Sequence, residues 1–232
     1  MIKNTHISVV LPAYKCTECI GPLYSRLKPV LSDISQDYEI IFVDDGSPDE
    51  DWLIISKLCI ESPKVRGIKL SRNYGQHFAI TAGLDASTGD WVIVMDCDLQ
   101  DEPEGIKLLY EKARKGQDIV FARRTSRGDS LHRKFYSTFF TTFYNWLGDI
   151  KFDNSYANFS ICSRRVITSV IRFRERNRSF PKILMEIGFD HSCVDIPRAS
   201  RFQGSSSYSF AKLFDLALQC IVAHSNKPLR LS

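Results

Sequence analysis

A short apolar run that ends on two acids constrains the fold most strongly. Residues 91–95 (WVIVM) have the length and composition of a buried parallel strand, and Asp96 and Asp98 follow directly. In an open α/β sheet, ligands bind in the crevice outside the carboxyl ends of the strands. Residues i and i+2 of an extended segment point to the same side, so the two carboxylates can share one cation. Mg²⁺ and Mn²⁺ are usually held by one or two carboxylates plus substrate phosphates, so the pattern indicates a site for a metal diphosphate.

The same pair of acids has a simpler interpretation as a turn. An Asp-x-Asp sequence after a strand is often a solvated turn or a helix N-cap, and residues 101–104 have the composition of an acidic first helical turn, with Pro103 near its start. Taken alone, the pair favours the turn. The metal interpretation therefore depends on the motifs around it.

The first half of the chain alternates between strand and helix patterns. The predicted strands are 6–11, 38–43, 65–70, 91–95 and 118–122, and the predicted helices are 18–31, a segment that ends at 86, and 106–115. This alternation predicts an α/β protein with a doubly wound, mostly parallel sheet flanked by helices. Chemistry then belongs at the strand ends, where the sequence has Tyr14, Asp44, Asp45, Arg72, Asp96, Asp98 and Arg123.

The second predicted strand also ends on acids. A carboxylate at Asp44 or Asp45 can accept a hydrogen bond from a base N–H or a ribose hydroxyl. The alternative is a type I turn with a helix cap, because Gly46, Ser47 and Pro48 are all turn formers. The chain contains neither GxGxxG nor GxxxxGK[ST], so the usual dinucleotide and P-loop phosphate cradles are excluded.

Composition bounds the partners and the compartment. With 232 residues, of which 44% are hydrophobic, the chain can bury one sizeable core. The net charge is only +4, but Lys and Arg outnumber Asp and Glu between Phe121 and Arg178, which indicates anionic substrates, an anionic membrane surface, or both. Seven scattered cysteines favour a reducing compartment. The sequence predicts no secretory signal and no segment that spans a bilayer.

Seven motifs, in order along the chain, carry a resemblance to a known family. They are LPAY (11–14), VDDGSPD (43–49), LSRNYGQ (70–76), MDCDLQDEPE (95–104), SRR (163–165), RFQGSSSY (201–208) and KPLRL (227–231). Together they resemble glycosyltransferase family 2. Within this family the chain is similar to the polyprenyl-phosphate sugar transferases, the group of dolichol-phosphate mannose synthases and bactoprenol glucosyltransferases, and the DxDLQDxPE segment is specific to this branch.

The resemblance implies a fold, a reaction and a division of the chain. It implies a single GT-A catalytic domain over 1–232, with a nucleotide-sugar-binding half (1–125), an acceptor half (126–208), and a juxtamembrane helix and tail (209–232). The implied enzyme is an inverting hexosyltransferase that moves a sugar from a nucleotide diphosphate sugar to undecaprenyl or dolichyl phosphate. The alternatives are a family 2 transferase that uses a saccharide hydroxyl, and a non-catalytic nucleotide-sugar-binding module.

The resemblance also implies roles for individual residues. Asp96 and Asp98 would be catalytic and, with Gln100, would hold Mg²⁺ or Mn²⁺. An acceptor phosphate is already largely ionised near neutral pH, so it needs little help from a general base. The implied donor-binding residues are Pro12, Tyr14, Asp44, Asp45, Arg72, Asn73, Asp96, Arg123 and Arg201. The implied acceptor-phosphate residues are Arg123, Arg124, Arg127, Arg133 and Ser137.

Two helical patterns in the second half point to a membrane surface. Residues 132–147 form an aromatic-rich amphipathic pattern with basic residues at one end, which is typical of helices in membrane interfaces and also of helices packed into cores. A second apolar helix is expected over 210–223. The resemblance implies action at the cytoplasmic face of a membrane, transmembrane helices after Ser232 in a longer form, and self-association. No nucleic-acid partner is expected.

The chain departs from the family around residue 158. Many bactoprenol glucosyltransferases have an acid where this chain has Asn158, and Ser160 replaces a guanidinium. Asn158 cannot act as a base, so either the sugar contacts differ or catalysis does not depend on that acid. The first alternative implies a donor other than glucose, for example an amino or deoxy sugar on a thymidine or uridine carrier.

Overall fold

The computed structural model describes residues 5–125, 156–173 and 179–197. All of them belong to one compact unit, made of residues 1–125 and 156–202. The predicted interface helices, 132–147 and 210–223, lie outside the described residues, and the proposed division of the chain into donor and acceptor halves stays a prediction.

The described part contains seven strands and six helices. The strands are β1 (Ile7–Ala13), β2 (Tyr38–Asp44), β3 (Val65–Lys69), β4 (Trp91–Val94), β5 (Ile119–Thr125), β6 (Tyr156–Ser163) and β7 (His191–Pro197). The helices are α1 (Thr17–Ile34), α2 (Asp51–Glu61), α3 (Gln76–Ala86), α4 (Gly105–Ala113), α5 (Arg164–Val170) and α6 (Phe180–Glu186). None of these helices combines the length and the apolar character that crossing a bilayer requires.

The strands form one sheet in the order β3-β2-β1-β4-β6-β5-β7. Strands β3, β2, β1 and β4 are parallel, β6 runs antiparallel between β4 and β5, and β7 is parallel to β5. The predicted α/β class and mostly parallel sheet are therefore confirmed. The strand order reverses between β1 and β4, which is where a sheet of this kind opens its ligand crevice.

The core lies on both faces of the sheet because the strands alternate their side chains. Val9 and Leu11 of β1 pack into a cluster with α1, α2 and α4, whereas Val10 packs on the other face with α3 and α5. Every residue of β1 and β2 is buried. Central strands of a parallel sheet are covered on both faces, and this explains why these segments read as continuous apolar runs.

Some elements differ from those expected. Strand β1 continues through Pro12 to Ala13, although the sequence predicts that Pro12 ends it. The acidic residues 101–104 precede α4, which begins at Gly105. The sequence patterns do not predict α2, β6, α5, α6 or β7.

Candidate functional site

Strands β1 and β4 separate at the position where an open α/β sheet forms its ligand crevice. The β1–β4 ladder ends at Val10 and Val94, whereas the pairing of β1 with β2 continues to Ala13 and Asp44. Pro12 therefore lies in the part of β1 that pairs with β2 alone, where its missing N–H is tolerated. The carboxyl ends of the parallel strands are therefore where the sequence and the strand order both predict the ligand site.

Backbone hydrogen bonds join the loops that follow the first three strands. Asp45 N–H donates to the carbonyl of Ala13 (2.9 Å), and Leu70 N–H donates to the carbonyl of Asp44 (2.9 Å). The N–H of Lys15 donates to Ser47 Oγ (3.1 Å). These contacts bring the predicted donor-binding loops together at one edge of the sheet. Tyr14 is 43% exposed there, so its ring is accessible to a ligand.

Gly46 permits a close approach between two of these loops. Its φ is +64°, a conformation that glycine adopts at little cost, and a Cβ at this position would lie 2.6 Å from the backbone nitrogen of Asn73. Arg72 and Asn73 are exposed beside it. The Arg72 guanidinium carbon lies 4.3 Å from the centroid of the Tyr74 ring, a cation–π contact.

Asp44 has a buried oxygen for which the described structure provides no hydrogen-bond partner. Its Oδ1 accepts the N–H of Ser47 (2.8 Å), but its Oδ2 is buried and has no partner. Burial raises the pKa of this carboxyl, and the bond from Ser47 acts in the opposite direction. A buried acceptor without a donor is costly, so this oxygen is suited to a ligand N–H or hydroxyl.

Asp45 accepts two backbone N–H groups from the loop before α3. Its Oδ1 accepts the N–H of Tyr74 (2.8 Å) and its Oδ2 accepts the N–H of Gly75 (2.9 Å). The side chain therefore fixes the turn that leads into α3. Of the two acids that the sequence leaves open as donor-binding residues, Asp44 is the one with a buried oxygen that lacks a partner among the described residues.

Asp96 and Asp98 follow β4, and their side chains face away from that of Cys97 between them. Cys97 is packed in the core with Cys16 and Cys19, whereas both acids are half-buried. Asp98 Oδ1 accepts the N–H of Gln100 (3.1 Å), which closes a tight turn, and Leu99 has a φ of +60°. Gln100, which the resemblance assigns to the metal, is only 5% exposed, so its side chain lies mostly away from solvent.

Two amide side chains donate to one oxygen of Asp96. Gln76 Nε2, from the first residue of α3, lies 2.6 Å from Asp96 Oδ1, and Asn158 Nδ2, from β6, lies 3.1 Å from the same atom. Ser160 Oγ donates to the carbonyl of Asn158 (3.0 Å). Neither the role of Gln76 nor the contact between Asn158 and Asp96 is predicted from the sequence. The signal that could have found the contact is the antiparallel pairing of β6 with β4.

The acids at the end of β4 fit a hard divalent ion. Two half-buried carboxylates one residue apart supply the oxygen ligands that Mg²⁺ and Mn²⁺ prefer, and the remaining positions suit a diphosphate and water. Within the residues that the structure describes, no three His, Cys, Asp or Glu side chains form a complete metal-binding cluster.

The predicted phosphate-binding arginines are only partly within the described chain. Arg123 of β5 is exposed and makes two bonds to Asp195 of β7, at 2.5 and 2.9 Å, and this pairing lowers the pKa of Asp195. Part of the positive charge of Arg123 is thus already balanced by a neighbour. The side chain of Arg124 and all of Arg127, Arg133, Ser137 and Arg201 lie outside the described residues.

The SRR motif lies at the amino ends of the parallel strands. Arg164 donates to the carbonyl of Gly89 (2.7 Å), and Arg165 and Ser163 both donate to Asp118. Arg165 holds the pKa of Asp118 below its ordinary value. This motif therefore joins the start of α5 to the amino ends of the strands and does not contact the crevice.

The chain is similar in sequence to several known proteins. Residues 8–189 match the profile of glycosyl transferase family 2. The chain is 33% identical to YkcC of Bacillus subtilis (strain 168), an uncharacterized glycosyltransferase, over all of this chain and 72% of that protein. It is 34% identical to a prophage bactoprenol glucosyl transferase homolog of Escherichia coli (strain K12), and to the bactoprenol glucosyl transferase of Shigella phage SfV, over 97% of this chain and 74% of each relative.

Solved structures confirm the GT-A fold. Glucosyl-3-phosphoglycerate synthase of Mycobacterium tuberculosis, in complex with Mn²⁺, UDP and glucosyl-3-phosphoglycerate, superimposes with a TM-score of 0.61 over 94% of this chain and 77% of that enzyme. The same enzyme with phosphoglyceric acid gives a TM-score of 0.62. Sequence identity in both comparisons is 19%, so the likeness concerns the arrangement of the backbone.

Proposed function

Because the chain belongs to glycosyl transferase family 2 and is a nucleotide-sugar glycosyltransferase, we propose that it transfers a sugar to a polyprenyl phosphate with the help of a divalent metal. The observation that carries this proposal is the pair Asp96 and Asp98 at the end of β4. The crevice beside β1 would accept the nucleotide. The relatives named bactoprenol glucosyl transferase support the lipid phosphate as acceptor.

We assign the nucleoside to the loops after β1 and β2. The buried Oδ2 of Asp44 accepts an N–H of the base or a hydroxyl of the ribose, which satisfies an oxygen that otherwise has no partner. Tyr14 is exposed at the same edge and supplies an aromatic surface. Arg72 and Asn73 are exposed in the adjoining loop, where a guanidinium and an amide can donate to the ribose or the diphosphate.

We assign the diphosphate to the acids that follow β4. Asp96 and Asp98 would hold Mg²⁺ or Mn²⁺ together with the diphosphate oxygens. The bound cation would stabilise the negative charge that develops on the departing nucleotide. Gln76 and Asn158 keep the Asp96 carboxylate in place by donating to its Oδ1.

A phosphate acceptor agrees with the absence of an obvious base among the described residues around Asp96. Asn158 is an amide and cannot take up a proton. His77 follows Gln76, but its Nδ1 accepts the N–H of Phe180 (3.3 Å) and burial lowers its pKa. A lipid phosphate is already ionised and attacks without losing a proton, whereas a sugar hydroxyl requires a base.

We also propose where the acceptor phosphate and the membrane surface are bound. Arg123, Arg124, Arg127 and Arg133 supply forked donors that suit a phosphate, and the aromatic pattern of 132–147 suits a lipid interface. We place the reaction at the cytoplasmic face of a membrane, where a polyprenyl phosphate and a nucleotide sugar meet.

Calorimetric titration tests the donor half of this proposal. We expect UDP, GDP or dTDP to bind in the presence of Mn²⁺ and to bind at least about tenfold more weakly in EDTA, because the metal links the acids to the diphosphate. The Asp98→Asn variant, which removes one charged ligand, serves as the matched control and should lose most of the metal dependence. Binding that is indifferent to Mn²⁺ would contradict the metal assignment.

Product analysis tests the acceptor half. A panel of radiolabelled sugar nucleotides is incubated with undecaprenyl phosphate, and the lipid fraction is separated by thin-layer chromatography. Label in the lipid fraction that disappears with the Asp98→Asn variant supports the proposal. Label transferred to a free saccharide in a parallel incubation, with none in the lipid, would assign the hydroxyl acceptor instead.

A further inference from the structure

The strand register places Asn158 opposite Asp96. Strands β4 and β6 pair antiparallel, with Val94 opposite Ser160. Continuing this register by two residues on each strand sets Asp96 opposite Asn158, and the observed distance of 3.1 Å between Asn158 Nδ2 and Asp96 Oδ1 agrees with it. Directly opposite residues on one face are close enough for their side chains to interact.

Gln76 reaches the same oxygen from an unrelated element. It is the first residue of α3, which packs on β1 and β2, and its Nε2 lies 2.6 Å from Asp96 Oδ1. The turn before it is itself fixed, because Asp45 accepts the N–H groups of Tyr74 and Gly75. The two amides thus approach Asp96 from a rigid helix start on one side and from the sheet on the other.

Both donors are neutral, and this matters for a metal ligand. An amide N–H fixes the orientation of a carboxylate without cancelling its charge, whereas a lysine or arginine would compete with a cation for it. Hydrogen bonds to ligating side chains raise metal affinity typically by 10–100-fold, because they remove the need to order the ligand on binding.

We propose that Gln76 and Asn158 are positioning residues that hold Asp96 ready for the metal diphosphate. This inference rests on the proposed function, because it needs Asp96 to be a ligand. It also explains the departure at residue 158, where an amide takes the place in which many bactoprenol glucosyltransferases have an acid. In this chain that position orients Asp96 and adds no charge of its own.

Gln76→Met tests the first of these residues. Methionine keeps the length of the side chain and suits a helix, but it removes the donor. We expect calorimetric titration with Mn²⁺ and UDP, GDP or dTDP to show affinity about tenfold weaker than that of the wild-type protein. Binding of the same nucleotides in EDTA should be unchanged. The control is Gln36→Met, because Gln36 is exposed next to the start of β2 and its amide donates only to the carbonyl of Ser32.

Asn158→Ala tests the second residue. A double-mutant cycle with Asp96 tests whether Gln76 acts through that carboxylate. Asn158→Ala should weaken Mn²⁺-dependent binding about as much as Gln76→Met. In an Asp96→Ala background, Gln76→Met should cost nothing further, because the residue acts through Asp96. Melting temperatures of all variants establish that each protein is folded. If Asn158→Ala is unfolded, it is replaced by Asn158→Leu, which keeps the size of the side chain, has no donor and should lose the same affinity.

The possible results separate the two proposals. Wild-type protein that binds none of the three nucleotides with Mn²⁺ would overturn the proposed function and the positioning role with it. Metal-dependent binding that Gln76→Met and Asn158→Ala leave within twofold of wild type would overturn the positioning role alone. An equal loss from Gln76→Met with and without Asp96 would show that Gln76 does not act through that carboxylate, and it too would overturn the role.

Discussion

At the amino ends of the strands, Glu39 and Asp118 are bonded to arginines, whereas at the carboxyl ends Asp44 and Asp45 accept hydrogen bonds from backbone N–H groups of the described residues. Glu39 accepts hydrogen bonds from Ser8, Thr88 and Arg66 at 2.7–2.8 Å. Asp118 accepts hydrogen bonds from Nε and Nη2 of Arg165. Asp96 is bonded by two amides, and Asp44 keeps one buried oxygen without a partner.

This difference separates acids that stabilise the fold from acids that are prepared for a ligand. Burial alone would raise the pKa of Glu39, but its hydrogen bonds outweigh burial and lower the pKa to about 2. At Asp44 the balance is reversed, and burial raises the pKa. Ionising Asp44 therefore costs free energy in the folded protein, and such perturbed groups are common at functional sites.

Asp98→Asn should have the largest effect on activity. Loss of one charged ligand at the end of β4 should lower turnover of nucleotide sugar by at least about a hundredfold, because charge on the departing diphosphate is no longer balanced. The free energy of unfolding in the absence of metal should change by less than about 1 kcal/mol. Near-normal turnover by a folded Asp98→Asn protein would refute the metal assignment.

The neighbouring acids of β2 should respond in opposite ways. Asp44→Asn should weaken nucleotide binding about tenfold with little loss of stability, because the oxygen that it changes has no protein partner. Asp45→Asn should lower the free energy of unfolding by about 1–2 kcal/mol, because its amide cannot accept both N–H groups of the turn. Chemical denaturation and calorimetry measure the two effects, and similar results for both variants would remove the distinction between them.

Glu39→Gln should affect stability and leave activity unchanged. Replacing a buried, charged acceptor that serves three residues should lower the free energy of unfolding by about 2 kcal/mol at pH 7. Urea denaturation of wild-type and variant protein measures this difference. A Glu39→Gln protein that loses nucleotide affinity while retaining its stability would show that the amino and carboxyl ends of the strands are not distinct in function.

The pH dependence of stability should show the smallest effect, and it tests the same difference between Glu39 and Asp44. The pKa of Glu39 falls from 4.5 to about 2 on folding, so its stabilisation is complete above pH 4.5 and is lost as the pH falls toward 2. The difference in free energy of unfolding between wild-type and Glu39→Gln protein should become smaller over that range. Asp44 has a raised pKa, so its contribution has the opposite sign and Asp44→Asn should not reproduce the narrowing. A gap that stays constant from pH 7 to pH 2 would contradict the assignment.

The sequence predicts the first five strands and the position of the crevice because the signals there are local. Strands β1 and β2 are continuous apolar runs that end on polar residues, and the resemblance points to the same strand ends. The register of β1 with β2 and β4 then brings the predicted loops together without further information.

The elements that the sequence misses depend on partners far along the chain. Strand β6 pairs with residues of β4 and β5 that lie 33 to 72 positions earlier, and this pairing explains why Asn158 faces Asp96. Helix α2 has apolar side chains on several sides, with Ile60 87% exposed, so its periodicity is weak. The bonding of Asp45 to Tyr74 and Gly75 likewise arises from loops that only the folded sheet brings together.

Anomalous diffraction from a crystal that contains Mn²⁺ and a nucleotide diphosphate sugar tests the central claim most directly. The account predicts a single strong peak within about 2.0–2.3 Å of carboxylate oxygens of Asp96 and Asp98, with the diphosphate on its other side. A peak located elsewhere, or a bound diphosphate whose nearest acids are not these two, would contradict it.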